Sequence, residues 1–141
     1  MEMDPIHKAV PVVLRQRGGR VEILLFEHPV AGWQLVKGTI EQGESAADAA
    51  LRELAEESGL NDGVVARLLG RQRYGDVGQE WHFVECTFAR PLPERWSFFT
   101  EDGGGHLFRF SWHPLSTPID NPFAPIFEQA RGYIEGRLMA P

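Results

Sequence analysis

Between Ser45 and Ser58 the apolar residues stop alternating and recur at helical spacing, and this switch constrains the fold more than any other feature of the chain. Ser45 can cap the segment with Asp48 three residues on, Ala47, Ala50, Leu51 and Leu54 form a stripe, and Gly59 offers a left-handed stop. On either side the chain reads as strand. Ala9 to Arg15 and Val21 to Phe26 flank a Gly18-Gly19 turn, His28 to Gly32 reads as a loop, and Trp33 to Val36 as a short strand. Thr39 to Gly43 is polar and lies after Gly38, which predicts a loop. After the helix, Val64 to Tyr74, Trp81 to Ala89, Trp96 to Thr100 and Leu107 to Trp112 read as strands, with a hairpin turn at Asp102-Gly103-Gly104-Gly105. A second helix starts near Asn121-Pro122 or Pro125 and runs toward Leu138, with Phe123, Ile126, Phe127, Ala130, Ile134 and Leu138 as its buried stripe. Strands, helix, strands, helix is the order of an α+β or mixed-sheet sandwich.

Composition narrows the function. A chain of 141 residues fits one domain, 1–141, whose core needs no disulfide or metal staple. The net charge of −6 argues against a polymeric nucleic-acid partner, whose affinity comes from phosphate neutralisation. It does not oppose a small phosphorylated ligand, because local cations can overrule the global balance. One cysteine, Cys86, excludes an intramolecular disulfide and reads as a small buried hydrophobe. The five histidines show no H-E-x-x-H and no paired metal spacing, which disfavours a zinc hydrolase. Residues 1–5 do not read as a signal peptide, and the apolar run from Ala9 to Leu14 is too short to span a bilayer. The expectation is a cytoplasmic protein without membrane attachment.

The chemistry lies in Arg52-Glu53-Leu54-Ala55-Glu56-Glu57-Ser58-Gly59. On a helix Glu53 precedes Glu56 and Glu57 by three and four residues, so the carboxylates converge on one side at a cost of a few tenths of a kcal/mol per pair. Glu56 and Glu57 also occupy the last turn, where the helix dipole disfavours anions by about 0.3–1 kcal/mol. A divalent cation with hard oxygen ligands, Mg²⁺ or Mn²⁺, would reverse each of these terms. A solvated acidic face has the same composition, so the preceding loop decides. Gly38 lies six positions before Glu44, Glu44 eight before Arg52, and Leu60 follows Gly59, which together spell G-x5-E-x7-R-E-U-x-E-E-x-G-U with U aliphatic. At average residue frequencies seven fixed types match by chance about 10⁻⁹ times per starting point.

On these residues the chain resembles the Nudix (MutT-like) hydrolases, and the pattern is complete from Gly38 to Leu60. The resemblance implies the Nudix fold, a mixed β-sheet sandwich flanked by helices (α/β/α). It also implies hydrolysis of a phosphoanhydride bond in a nucleoside di- or polyphosphate derivative, with Mg²⁺ as cofactor. Carried over by position, Glu53, Glu56 and Glu57 would hold the metal and the Gly38 carbonyl would join them. Glu53 would act as base, Arg52 would orient a glutamate and Glu44 would buttress the loop. Some branches of the family draw the base from outside the box, and Glu101 and Asp102 are the first such alternatives here, ahead of Glu80 and Glu85. Lys37, Arg73 and Trp33 are candidate substrate contacts. Lys37-Gly38 followed by Glu41-x-Gly43-Glu44 is similar to the opening in branches acting on dinucleoside polyphosphates and diphosphoinositol polyphosphates, with Val36 where those carry proline. The rival is a Nudix-fold sensor that binds a nucleotide or ADP-ribose without turnover, but degenerate sensors usually lose box glutamates. Many members of the family pair, which leaves a homodimer open.

Overall fold

The computed structural model describes residues 4–139; residues 1–3, part of the opening segment read as no signal peptide, lie outside the described residues. The elements are β1 (Ile6–Arg17), β2 (Arg20–His28), β3 (Gly32–Gln34), β4 (Gly38–Thr39), α1 (Ala46–Ser58), β5 (Val64–Tyr74), β6 (Gln79–Thr87), β7 (Trp96–Thr100), β8 (His106–Pro114) and α2 (Ile126–Met139). Their spatial order is β5-β6-β1-β2-β8-β7, with β4 paired to β1 and β3 to β2. The sheet is mixed because β1 and β6 run parallel, from Ile6 opposite Gln79 to Val13 opposite Cys86. Parallel neighbours need a long crossover, and the stretch between them that contains α1 supplies it.

The strand β1 joins the two halves of this sheet. Residues 6–13 pair with β6, and Lys8 and Ala9 also pair with β4, whereas residues 14–17 pair with β2. Period-2 alternation then sends neighbouring side chains into two cores. Ala9, Val13, Leu24, Phe26, Val84, Cys86, Phe108 and Phe110 pack with Ala49, Ala50 and Leu54 of α1. Val10, Val12, Ile23, Leu25, Trp81 and Phe83 pack with Phe127, Ala130 and Ile134 of α2. Trp81, Phe26, Phe83 and Phe110 are fully buried, each contributing about 1.5–3 kcal/mol if it follows the usual scale for large apolar side chains. The indole N–H of Trp81 donates to Gln79 Oε1 at 2.8 Å, so its burial leaves no donor unpaired.

Four sequence expectations change. The loop expected over Thr39 to Gly43 begins one residue later, because Thr39 joins Gly38 in a two-residue strand that pairs with Lys8 and Ala9. The short strand expected at 33–36 is Gly32–Gln34, with Leu35 and Val36 buried just beyond it. The buried face of α1 runs through Ala49, Ala50, Glu53, Leu54 and Glu57, while Ala47 and Leu51 are only partly buried. Phe123 is 76% exposed because α2 begins at Ile126, and Asn121 Oδ1 instead accepts the N–H groups of Phe123 and Ala124 in a preceding turn. Cys86 is buried, as expected.

Candidate active site

The helix α1 is held at both ends by the residues the sequence offers. Ser45 Oγ accepts the N–H of Asp48 at 3.0 Å, and Gly59 at φ +79° donates its N–H to the Ala55 carbonyl at 3.0 Å. The last turn is also capped from outside. Trp96 Nε1 donates to the Ser58 carbonyl at 3.0 Å, and the hydroxyl of buried Thr100 donates to the Glu56 carbonyl at 3.0 Å. These bonds satisfy carbonyls a helix end leaves open and lay β7 along the carboxylate-bearing half of α1. Thr100 Oγ1 also accepts the N–H of Asp102 at 3.3 Å, so the turn after β7 starts from a fixed point.

Arg52 joins the loop to the helix. Its Nε and Nη2 donate to the two carboxylate oxygens of Glu44 at 2.8 and 2.9 Å. Nη1 donates to Glu53 Oε1 at 2.8 Å and to Glu56 Oε2 at 3.3 Å, and Nη2 reaches the Thr39 carbonyl at 3.1 Å. Glu44 closes its own loop by accepting the Glu41 N–H at 3.1 Å. The Arg52 guanidinium, aided by that N–H, holds the Glu44 carboxyl down to about 2, and Glu44 in turn holds Arg52 above its ordinary value.

The glutamates differ sharply in environment. Glu53 and Glu57 are 7% and 8% exposed, whereas Glu56 is exposed. Burial, then the adjacent Glu53, pushes the Glu57 carboxyl up to about 9. Glu53 is raised by the same burial but lowered by its hydrogen bonds from Glu57 and Arg52. Burial beside Glu53 thus favours the neutral form of Glu57, while its Oε2 is buried without a hydrogen-bond partner. A buried oxygen left without a donor is costly, and a cation would satisfy it. Two further observations fit a metal. Oxygens of Glu53, Glu56 and Asp102 all lie within 4.8 Å of one another. A Cβ at Gly38 would overlap the Glu53 carboxylate, so this backbone approaches the acidic cluster as only glycine can. Mg²⁺ and Mn²⁺ suit such an all-oxygen set.

The remaining candidates divide. Lys37 is partly buried, with Nζ 5.7 Å from the Trp81 ring centroid; burial and Lys8 lower it, while Glu57 and Glu53 pull it back up. Of the two alternatives on the turn after β7, Asp102 joins the cluster and Glu101 is exposed outside it. Arg73 lies on the edge strand β5, in register with Glu80. Trp33 lines a groove of about 620 Å³ with Glu27, Arg95, Arg109 and Trp112, and none of the box glutamates lines that groove. The sequence reading missed Trp96 and Thr100 as positioning residues. A hydroxyl or indole bonded to a helix carbonyl some 40 residues away leaves no local signal.

The NUDIX domain family model matches residues 5–129. The RNA pyrophosphohydrolase of Sphingopyxis alaskensis is 39% identical over 62 residues, covering 43% of this chain and 39% of that protein. That of Dinoroseobacter shibae is 46% identical over 57 residues, covering 40% of this chain and 36% of that protein. The chain thus spans less than two-fifths of the length of these curated relatives in the matched segment. A C. elegans Ap4A hydrolase binary complex superposes with a TM-score of 0.62 at 16% identity, covering 96% of both chains, which shows the shared fold.

Proposed function

We propose that this chain, which belongs to the NUDIX domain family, is a Mg²⁺-dependent pyrophosphohydrolase that cleaves a phosphoanhydride bond in a small nucleoside di- or polyphosphate derivative. The observation that carries the reading is Glu57, buried with one oxygen unpartnered next to Glu53, whose own carboxylate lies against Gly38 and belongs to the Glu53–Glu56–Asp102 cluster. Glu53, Glu56 and Glu57 would hold the ion, with the Gly38 carbonyl as a further ligand and Mn²⁺ able to replace Mg²⁺. A cation there would neutralise pyrophosphate charge and acidify water.

The chain's own residues do the rest. Glu53 takes the proton from the attacking water, with Asp102 as the alternative base inside the cluster and Glu101 as the one outside it. Arg52 fixes the Glu53 carboxylate through Nη1 and is itself fixed by Glu44, so the base is oriented before substrate arrives. Lys37 holds a phosphate as a point charge, favoured by its partial desolvation.

The substrate class rests on net charge and on the neighbours. A charge of −6 opposes binding along a nucleic-acid backbone, and the Ap4A hydrolase neighbour suits a dinucleoside polyphosphate. A second reading is favoured by the RNA pyrophosphohydrolase relatives, in which the pyrophosphate sits on an RNA. No helix among the described residues is long and apolar enough to cross a membrane.

The test is a screen of the purified chain with Mg²⁺ or Mn²⁺ against nucleoside triphosphates, dinucleoside polyphosphates, nucleotide sugars, ADP-ribose, inositol pyrophosphates and triphosphate-ended RNA. The expected result is metal-dependent release of a phosphorylated product from a small polyphosphate, abolished by EDTA. Preferential turnover of the RNA would establish the second reading. Tight binding of a nucleotide or ADP-ribose with no turnover of anything would make the protein a sensor and overturn both.

A further inference from the structure

We propose that His7, Glu80 and His82 form a second metal site, selective for a late first-row divalent ion of the Zn²⁺ class, that clips β1 to β6. The three residues come from two strands. His7 of β1 stands opposite Glu80 of β6, and Ala9 stands opposite His82, so all three side chains project from one face at one end of the parallel seam. Their ligand atoms close a small triangle. His7 Nδ1 lies 2.9 Å from His82 Nε2 and 3.3 Å from Glu80 Oε2, and His82 Nε2 lies 3.7 Å from that same oxygen. Ligands about 2.0–2.2 Å from one ion, at tetrahedral or octahedral angles, stand about 2.9–3.5 Å apart. The triangle therefore already has nearly the size that coordination requires.

Hydrogen bonding alone serves this triangle poorly. A proton on His7 Nδ1 can go to His82 or to Glu80 but is not fully shared by both. A proton on His82 Nε2 given to His7 leaves the Glu80 oxygen facing a lone pair. One cation at the centre satisfies all three acceptors together. Two imidazoles and one carboxylate select Zn²⁺, Ni²⁺ or Cu²⁺ over Mg²⁺, which prefers oxygen. Glu80 and His82 side chains are largely buried, and His7 is 47% exposed, so the site is held in place yet open to solvent on one side. Three protein ligands leave a position for water or an anion. Arg71 and Arg73 stand cross-strand from His82 and Glu80 on the same face, which weakens a purely electrostatic ion and favours an anion at the open position. The cluster shares no residue with the box carboxylates, although Ile40 in the box loop donates its N–H to the His7 carbonyl at 2.9 Å. The proposal does not depend on the hydrolase reading.

The test titrates Zn²⁺ into the full chain by calorimetry, with Mg²⁺ in large excess to occupy the oxygen site. Co²⁺ is used in parallel as a probe whose visible d–d absorption reports nitrogen ligation. One equivalent of Zn²⁺ should bind, and His7→Gln and His82→Gln should each weaken it by at least about 10-fold. Glu56→Gln should leave it unchanged, and Mg²⁺-dependent hydrolysis should be unaffected in His7→Gln. His7 is half-exposed near the start of β1, so its substitution tests the site without threatening the fold, which circular dichroism verifies. Absence of Zn²⁺ binding tighter than about 100 μM, or binding that survives both histidine substitutions, would overturn the proposal.

Discussion

The carboxylate of Glu53 occupies the space that a side chain at position 38 would need, because a Cβ on Gly38 would overlap it. Gly38 is thus required for its missing side chain, and the strand β4 and helix α1 meet there at backbone-to-carboxylate range. Gly38→Ala should displace Glu53 from Arg52, lowering hydrolysis by about 100-fold or more and stability by about 1–3 kcal/mol. The double variant Gly38→Ala/Glu53→Ala should regain stability in urea denaturation without regaining activity. Wild-type turnover in Gly38→Ala would remove Glu53 from the site.

Glu57 predicts a reversed pH dependence. It keeps its proton in the fold up to about pH 9, whereas an unfolded glutamate loses it near 4.5. Between these values the unfolded chain binds fewer protons, so the metal-free protein loses stability as pH rises, by at most about 1.4 kcal/mol per pH unit. Below 4.5 the contribution is fully present. A divalent cation that displaces the proton should stabilise more as pH rises. Thermal melts from pH 5 to 9 in EDTA and in Mg²⁺ should therefore diverge, and Glu57→Gln should flatten the EDTA series. A flat EDTA series for the wild-type chain would contradict the protonated state.

The turn after β7 offers two adjacent acids, of which only Asp102 reaches the cluster. Asp102→Asn should lower Mg²⁺-dependent hydrolysis by about 10–1,000-fold, as loss of a base or an aligned carboxylate does, and Glu101→Gln should stay within about 3-fold of wild type. Glu56→Gln and Glu57→Gln should each abolish turnover with the fold intact. A pH–rate profile of Glu53→Gln beside Asp102→Asn separates base from ligand: the base variant loses the acidic limb, a ligand variant raises the metal requirement.

Arg52 donates to four partners, Glu44, Glu53, Glu56 and the Thr39 carbonyl, and grips both oxygens of Glu44, a set that a lysine cannot reproduce. Arg52→Lys should cost about 1–3 kcal/mol in chemical denaturation and lower kcat more than it raises KM, since Glu53 loses its orientation. An unchanged kcat would assign Arg52 to loop structure alone.

Local signals were legible where the physics is local. The Ser45 cap, the Gly59 stop and the hairpin after β7 follow from side chains acting on their own backbone. The Glu56 and Glu57 spacing likewise stands in the sequence. The buried face of α1 did not: an apolar stripe through Leu51 was expected, yet Glu53 and Glu57 turn inward instead. Their burial is unfavourable by hydropathy, so a pattern of apolar residues cannot find it.

The sequence by itself determined the order of elements, the box from Gly38 to Leu60 and therefore the family, because each depends on residue type at fixed spacing. Tertiary structure alone decided that β1 runs parallel to β6, since crossover pairing is set by which faces bury together and not by either strand. That one pairing brings His7 beside Glu80 and His82 across more than seventy residues. The docking of Trp96 and Thr100 on α1 chose Asp102 over Glu101 in the same way. Which acid reaches the cluster depends on where a turn is anchored, and adjacent acids in a chain carry no mark of it.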